Sequence, residues 1–156
     1  MTINLTWEEA LLAATVGVRR RVKAQSVKRR EVHGDAHYRP PWDLDIEGAL
    51  AEMAFAKFMG AYWAGQTDPD KGSGDVMEGG IAHHVRSTDR EEGALILHPT
   101  DSDEGIFVLM VGGGIKWRCA GWMRGEDGKQ QRWWRANVPH AAYFVSQGDL
   151  EKDFDR

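Results

Sequence analysis

The 156-residue chain has one cysteine, Cys119, and only five prolines. A single thiol excludes an intramolecular disulfide and a multi-cysteine zinc site, and it fits a reducing, cytoplasmic compartment. No apolar stretch approaches the ~18–20 residues of a membrane-spanning helix, so no membrane partner is expected. Nor is a secretory signal expected, because Glu8 and Glu9 precede the first apolar segment and the basic cluster follows it. Internal repeats and low-complexity tracts are missing, and 125–132 is the only linker-like stretch.

What is present is core-forming material. Hydrophobic residues make up 42% of the chain and seven are Trp, which argues against disorder. The length suits a single domain, 1–156, that buries roughly two thirds of the surface its unfolded chain exposes. The net charge of −4 conceals an asymmetry. Residues 1–30 carry Arg19, Arg20, Arg21, Lys23, Lys28, Arg29 and Arg30 against Glu8 and Glu9, a balance of +5 that leaves −9 elsewhere. One concentrated basic segment on an acidic protein suits a phosphate-bearing partner.

Thr6-Trp-Glu-Glu9 has the form of a capping box, and the spacing predicts a helix over Trp7–Val27, with Gly17 its weak point. The first half is apolar enough to dock. The second half, from Arg19 to Arg30, either follows a DNA backbone or is a solvated end whose cations suit the helix dipole. In 31–44, His33 and His37 bracket Asp35, but nothing aligns them as metal ligands; contact by Tyr38 and Trp42 with DNA or a partner, or plain packing, fits better.

A second helix is predicted from Asp45, its expected cap, to near Gly60. Glu52 lies on its mostly apolar stripe with Phe55, Ala56 and Met59, so this carboxylate is expected to reach solvent or to meet a cation or donors. The stretch 68–72 lacks the ligand spacing of a calcium loop. Asp75 ends the glycine-rich turn, and Ile81–Thr88 reads as a strand. One face holds Ile81, His83, Val85 and Ser87; the other holds Ala82, His84, Arg86 and Thr88. His83 is expected to be a hydrogen-bonded core histidine. Short strands follow at 94–98 and 106–111, then a hairpin through Gly112–Gly114 into 116–124. There Trp117, Cys119 and Gly121 share one face, and Arg118, Ala120 and Trp122 the other. After a turn at 125–128, Trp133-Trp134 and 141–145 form the last structured segment, ahead of a polar tail from Asp149. Aromatic residues beside Arg132 and Arg135 either stack on bases or fill the core.

The order of helix acid, turn Asp and polar strand pair resembles the PD-(D/E)xK nuclease superfamily, most of all its small phage-encoded members. Gly48-Ala-Leu-Ala-Glu52 matches the helix element, Gly74-Asp75-Val76 the Asp element, and His84-Val85-Arg86 the acid-x-Lys strand, with His and Arg in place of the acid and the Lys. The motif region is 45–99, and 106–148 is a strand-rich remainder compatible with the fold. The resemblance implies an α/β, restriction-endonuclease-like core with a mixed central sheet flanked by the two helices. It implies a metal-dependent DNA nuclease, an endonuclease for preference, with Glu52 and Asp75 as metal ligands, His84 as ligand or base and Arg86 as phosphate clamp. The ion would be Mg2+ or Mn2+, with the softer His84 nitrogen shifting preference toward Mn2+. DNA is then the partner, the host cytoplasm the compartment, and a homodimer or larger phage complex is compatible. The alternatives are a nuclease-fold DNA-binding protein without catalysis, and a phage structural or host-interaction protein.

Overall fold

The computed structural model describes residues 1–27, 39–67 and 74–154. Its elements are, in order, β1 (Thr2–Asn4), α1 (Trp7–Ser26), α2 (Pro41–Met59), β2 (Val76–Glu78), β3 (Ile81–Thr88), β4 (Leu95–Leu97), β5 (Ile106–Gly113), β6 (Lys116–Arg124), α3 (Gly125–Gly128), β7 (Trp134–Arg135) and β8 (Ala142–Val145). The capping box forms as expected: Thr6 accepts from the Glu9 N–H, and Glu9 accepts from the Thr6 N–H at 2.7 Å. Helix α2 begins earlier than its sequence suggests, because Pro41 suits a first helical position, where no N–H is needed. Asp45 is therefore inside the helix and not its cap. Gly60, in the left-handed conformation, ends the helix.

The fold is mixed α/β. Five strands form one sheet in the order β1-β6-β5-β3-β2, and three short ones form a second, β4-β8-β7. In the larger sheet β3 and β5 run parallel and every other neighbouring pair is antiparallel. Parallel neighbours need a long crossover. Residues 89–105 supply it, and on the way they place β4 in the second sheet.

Alternation along β5 shows how the layers stack. Val108 and Met110 join the core made with α1 and α2, whereas Phe107, Leu109 and Val111 join the core under β4 and β8. Both long helices thus cover the same face, α2 against the sheet and α1 against α2, and the second sheet covers the other. This corrects the expectation of a sheet flanked by the two helices. Strand β6 also departs from simple alternation. A bulge in β6 sets Leu109 opposite Gly121 and Met110 opposite Cys119, so Ala120 is the extra residue. Trp122 consequently packs toward the helix-side core with Trp117 and Cys119.

Candidate functional site

Helix α1 approaches α2 closely because Gly17 has no side chain: a Cβ there would lie 2.5 Å from Ile46 Cα. The approach brings Arg20, one turn further on, against Glu52. Arg20 Nη1 donates to Glu52 Oε1 at 2.6 Å and Nη2 donates to Oε2 at 2.8 Å, while its Nε donates to the Gln66 carbonyl at 2.9 Å. Trp63 Nε1 adds a 3.1 Å bond to Glu52 Oε2. The buried carboxylate on the apolar stripe has met both a cation and a neutral donor. Burial pushes the Glu52 carboxyl above its usual range, and the Asp75 charge adds to this; the Arg20 bonds and Trp63 pull it back. With two short bonds from a guanidinium that Glu52 itself holds protonated, the pair is an ion pair at neutral pH.

Asp75 sits where the chain enters β2. Its N–H donates to the His83 carbonyl at 2.7 Å, and its Oδ2 accepts from the Val85 N–H at 2.7 Å. Its Oδ1 takes no hydrogen bond among the described residues. Burial raises the Asp75 carboxyl, opposed by the Val85 N–H and by the charges of Arg86 and Arg20. Glu52 and Asp75, distant in sequence, therefore share one electrostatic neighbourhood with Arg20.

His84 and Arg86 lie on the other face of β3. His84 stacks on Phe107 with centroids 5.0 Å apart, and the Arg86 guanidinium lies 5.4 Å from the centroid of the same ring. Arg86 Nη2 donates to Asp101 Oδ1 at 3.2 Å, and Asp101 Oδ2 accepts from the His98 N–H at 2.8 Å. Burial, then Arg86, lowers the His84 pKa, so its imidazole is neutral at pH 7. It borders an open cleft of about 400 Å3 whose other polar lining includes Ser102, Glu104 and Arg124.

Comparison with protein-family models, curated proteins and solved structures gave no match. The candidate residues therefore rest on their geometry. Among the described residues, no group of three or more His, Cys, Asp or Glu side chains stands close enough to hold a metal ion. Glu52 and Asp75 are brought together, and His84 is not added to them.

The basic segment also divides. Arg20 is committed to Glu52, and Arg21 Nε donates to Asp45 Oδ2 at 2.7 Å, which is the role Asp45 takes in place of capping. Arg19 and Lys23 are on the exposed side of α1. Lys28, Arg29 and Arg30 lie outside the described residues, as do His33, Asp35, His37, Tyr38 and the 68–72 stretch.

His83 faces α2, 5.3 Å from the Phe55 ring, and is buried as expected of a core histidine, but among the described residues its Nδ1 has no hydrogen-bond partner. Three partners escaped the sequence reading: Trp63, Asp101 and the inward role of Arg20. For Arg20 a signal existed, because Ala13, Val16 and Gly17 mark the buried face and Arg20 continues it at helical spacing.

Proposed function

We propose that this chain is a metal-dependent DNA nuclease of restriction-endonuclease-like type, with Glu52 and Asp75 at its centre. The observation that carries the reading is the convergence of these two carboxylates. The helix acid and the turn Asp stand in the family order in sequence, and the buried Glu52 and half-buried Asp75 share one electrostatic neighbourhood with Arg20, with the Arg86 charge also acting on Asp75. Their oxygens are the donor type that Mg2+ and Mn2+ prefer.

The donor set fits such an ion in part. Among the described residues Asp75 has one oxygen without a hydrogen bond, but both Glu52 oxygens are held by Arg20 and Trp63, so Glu52 becomes available only when the Arg20 bonds open. His84, on the opposite face, belongs with Arg86 and Arg124 on the substrate side and not in the ligand set. A bound divalent ion supplies activation of a water and charge balance on the leaving oxygen. The chain's own residues orient Asp75 through the Val85 N–H, and Arg86, bonded to Asp101 on the His84 face but near enough for its charge to act on Asp75, would be the permanent cation for a phosphate once it leaves Asp101. Arg86 stays protonated and cannot act as base. The exposed Arg19 and Lys23 lead into Lys28, Arg29 and Arg30, a cationic run suited to the DNA backbone in a bacterial host cytoplasm.

A second reading is favoured by the bidentate Arg20–Glu52 pair itself. An arginine that neutralises the helix acid permanently leaves a nuclease-fold protein that binds DNA without cutting it. Glu52→Gln and Asp75→Asn separate the two, each being close in shape to the residue replaced. Loss of metal-dependent cleavage with retained folding supports the nuclease. Salt-sensitive DNA retention without cleavage in any variant supports the binder. A chain that neither cuts nor retains DNA overturns both and leaves the phage assembly or host-interaction role.

A further inference from the structure

The solvent face of α1 carries more apolar surface than an isolated helix of this amphipathic kind needs. Trp7 is 72% exposed, Leu11 60%, Leu12 57% and Val22 52%, with Val18 also exposed. Steps of four, seven and four residues put Trp7, Leu11, Val18 and Val22 along one side, opposite the buried Ala13, Val16 and Gly17. A contiguous exposed stripe of this kind marks an interaction surface.

The stripe is symmetric in sequence about Ala14–Thr15. Reversing the helix direction about that point exchanges Trp7 with Val22 and Leu11 with Val18. We infer that α1 packs antiparallel against α1 of a second copy of this chain, around a two-fold axis at Ala14–Thr15, where the two central side chains are small enough for close approach. Charge follows the same symmetry. Glu8 flanks the stripe at one end, and Arg19 and Lys23 flank it on the same side at the other. In the antiparallel pair each Glu8 falls between Arg19 and Lys23 of the second copy, within about 3 Å along the axis of either at the helical rise per residue. Among the described residues neither Glu8 nor Arg19 has an ion-pair partner. A parallel pair instead puts the Glu8–Arg19 sides of the two helices on opposite flanks and leaves Glu8 and Arg19 far apart along the axis, so the charges are not paired. The contact is isologous and self-limiting. It leaves Arg20 and Arg21 facing α2 and does not touch Glu52 or Asp75, so it stands whether or not the chain is a nuclease, although in the dimer Arg19 and Lys23 serve Glu8 and not a DNA backbone.

Sedimentation velocity of the full chain over a concentration series tests this, with circular dichroism to confirm folding of each variant. The wild type is expected to dimerise, and Leu11→Glu and Val18→Glu each to be monomeric. Glu8→Arg and Arg19→Glu are each expected to weaken the dimer about tenfold, since each change alters two symmetry-related contacts. The double variant, which restores opposite charges across the interface, is expected to recover most of that loss. A wild type that stays monomeric at high concentration overturns the inference. So does a dimer indifferent to Leu11→Glu and Val18→Glu, or single charge reversals that the double variant does not rescue. A monomer that binds anionic vesicles through the same stripe also overturns it and assigns the face to a lipid surface.

Discussion

Arg20 holds Glu52 by two hydrogen bonds of 2.6 and 2.8 Å across the α1–α2 contact, and this pair joins the N-terminal helix to the candidate site. Removing one member of a buried pair strands the other's charge, at a cost of ~3–5 kcal/mol. Arg20→Ala is therefore expected to lower stability by that order in urea denaturation. Glu52→Gln is expected to cost less, because a neutral amide oxygen still accepts from Trp63 Nε1. Equal and small effects in both variants would show that the pair is not closed in solution.

The same contact depends on Gly17. A methyl group there meets the Ile46 and Asp45 backbone at 2.5 to 2.6 Å, which no rotamer change relieves. Gly17→Ala is expected to cost ~1–3 kcal/mol by overpacking, although Ala is the better helix former. The check is a thermal melt. A gain in stability, as propensity alone would give, contradicts the close approach.

Asp75 makes a pH prediction. Its folded pKa lies above its unfolded value of roughly 3.9. The native state thus binds this proton more tightly, so the group's contribution to stability is present below the ordinary carboxylate range and is lost as pH rises through the raised folded value. Asp75→Asn, which still accepts from the Val85 N–H, is expected to remove that falling limb and to match or exceed the wild type at neutral pH. Asp75→Ala leaves the Val85 N–H without its acceptor and is expected to be less stable. Urea midpoints measured across the acidic to neutral range decide this, and parallel pH profiles for wild type and Asp75→Asn would contradict it.

Much of this arrangement was legible in the sequence, for local reasons. The capping box at Thr6 and Glu9, the alternating strand at Ile81–Thr88 and the Gly112–Gly114 hairpin are encoded within a few residues. Glu52 announced its need for a partner by lying on an apolar stripe. What was not legible depends on distant contacts. The Ala120 bulge re-aims Trp122, and no alternation rule shows an extra residue in a strand before its neighbour is known. That α1 stacks on α2 and a second sheet covers the far face follows from β4 joining β8, a pairing between short segments far apart in the chain. Placing His84 away from Glu52 and Asp75 required knowing which face of β3 each core occupies.

His83 behaves in the opposite sense to Asp75. Burial lowers its pKa, so its contribution to stability is present above the unfolded value of ~6.5 and is lost as pH falls through the depressed folded one. Among the described residues its Nδ1 also lacks a partner. His83→Phe, which keeps an aromatic ring beside Phe55, is expected to resist mild acid better than the wild type. Denaturant midpoints on either side of the histidine range provide the check, and an unchanged acid limb would place the effect elsewhere.

Glu52 and Asp75 are proposed above to form a metal-dependent hydrolytic centre. Its most direct test is nicking of supercoiled DNA with Mg2+ and, separately, Mn2+ by the wild type beside folded Asp75→Asn. Metal-dependent nicking by the wild type, lost in the variant, is the expected result. No nicking with either ion, or nicking that Asp75→Asn leaves intact, would contradict the claim.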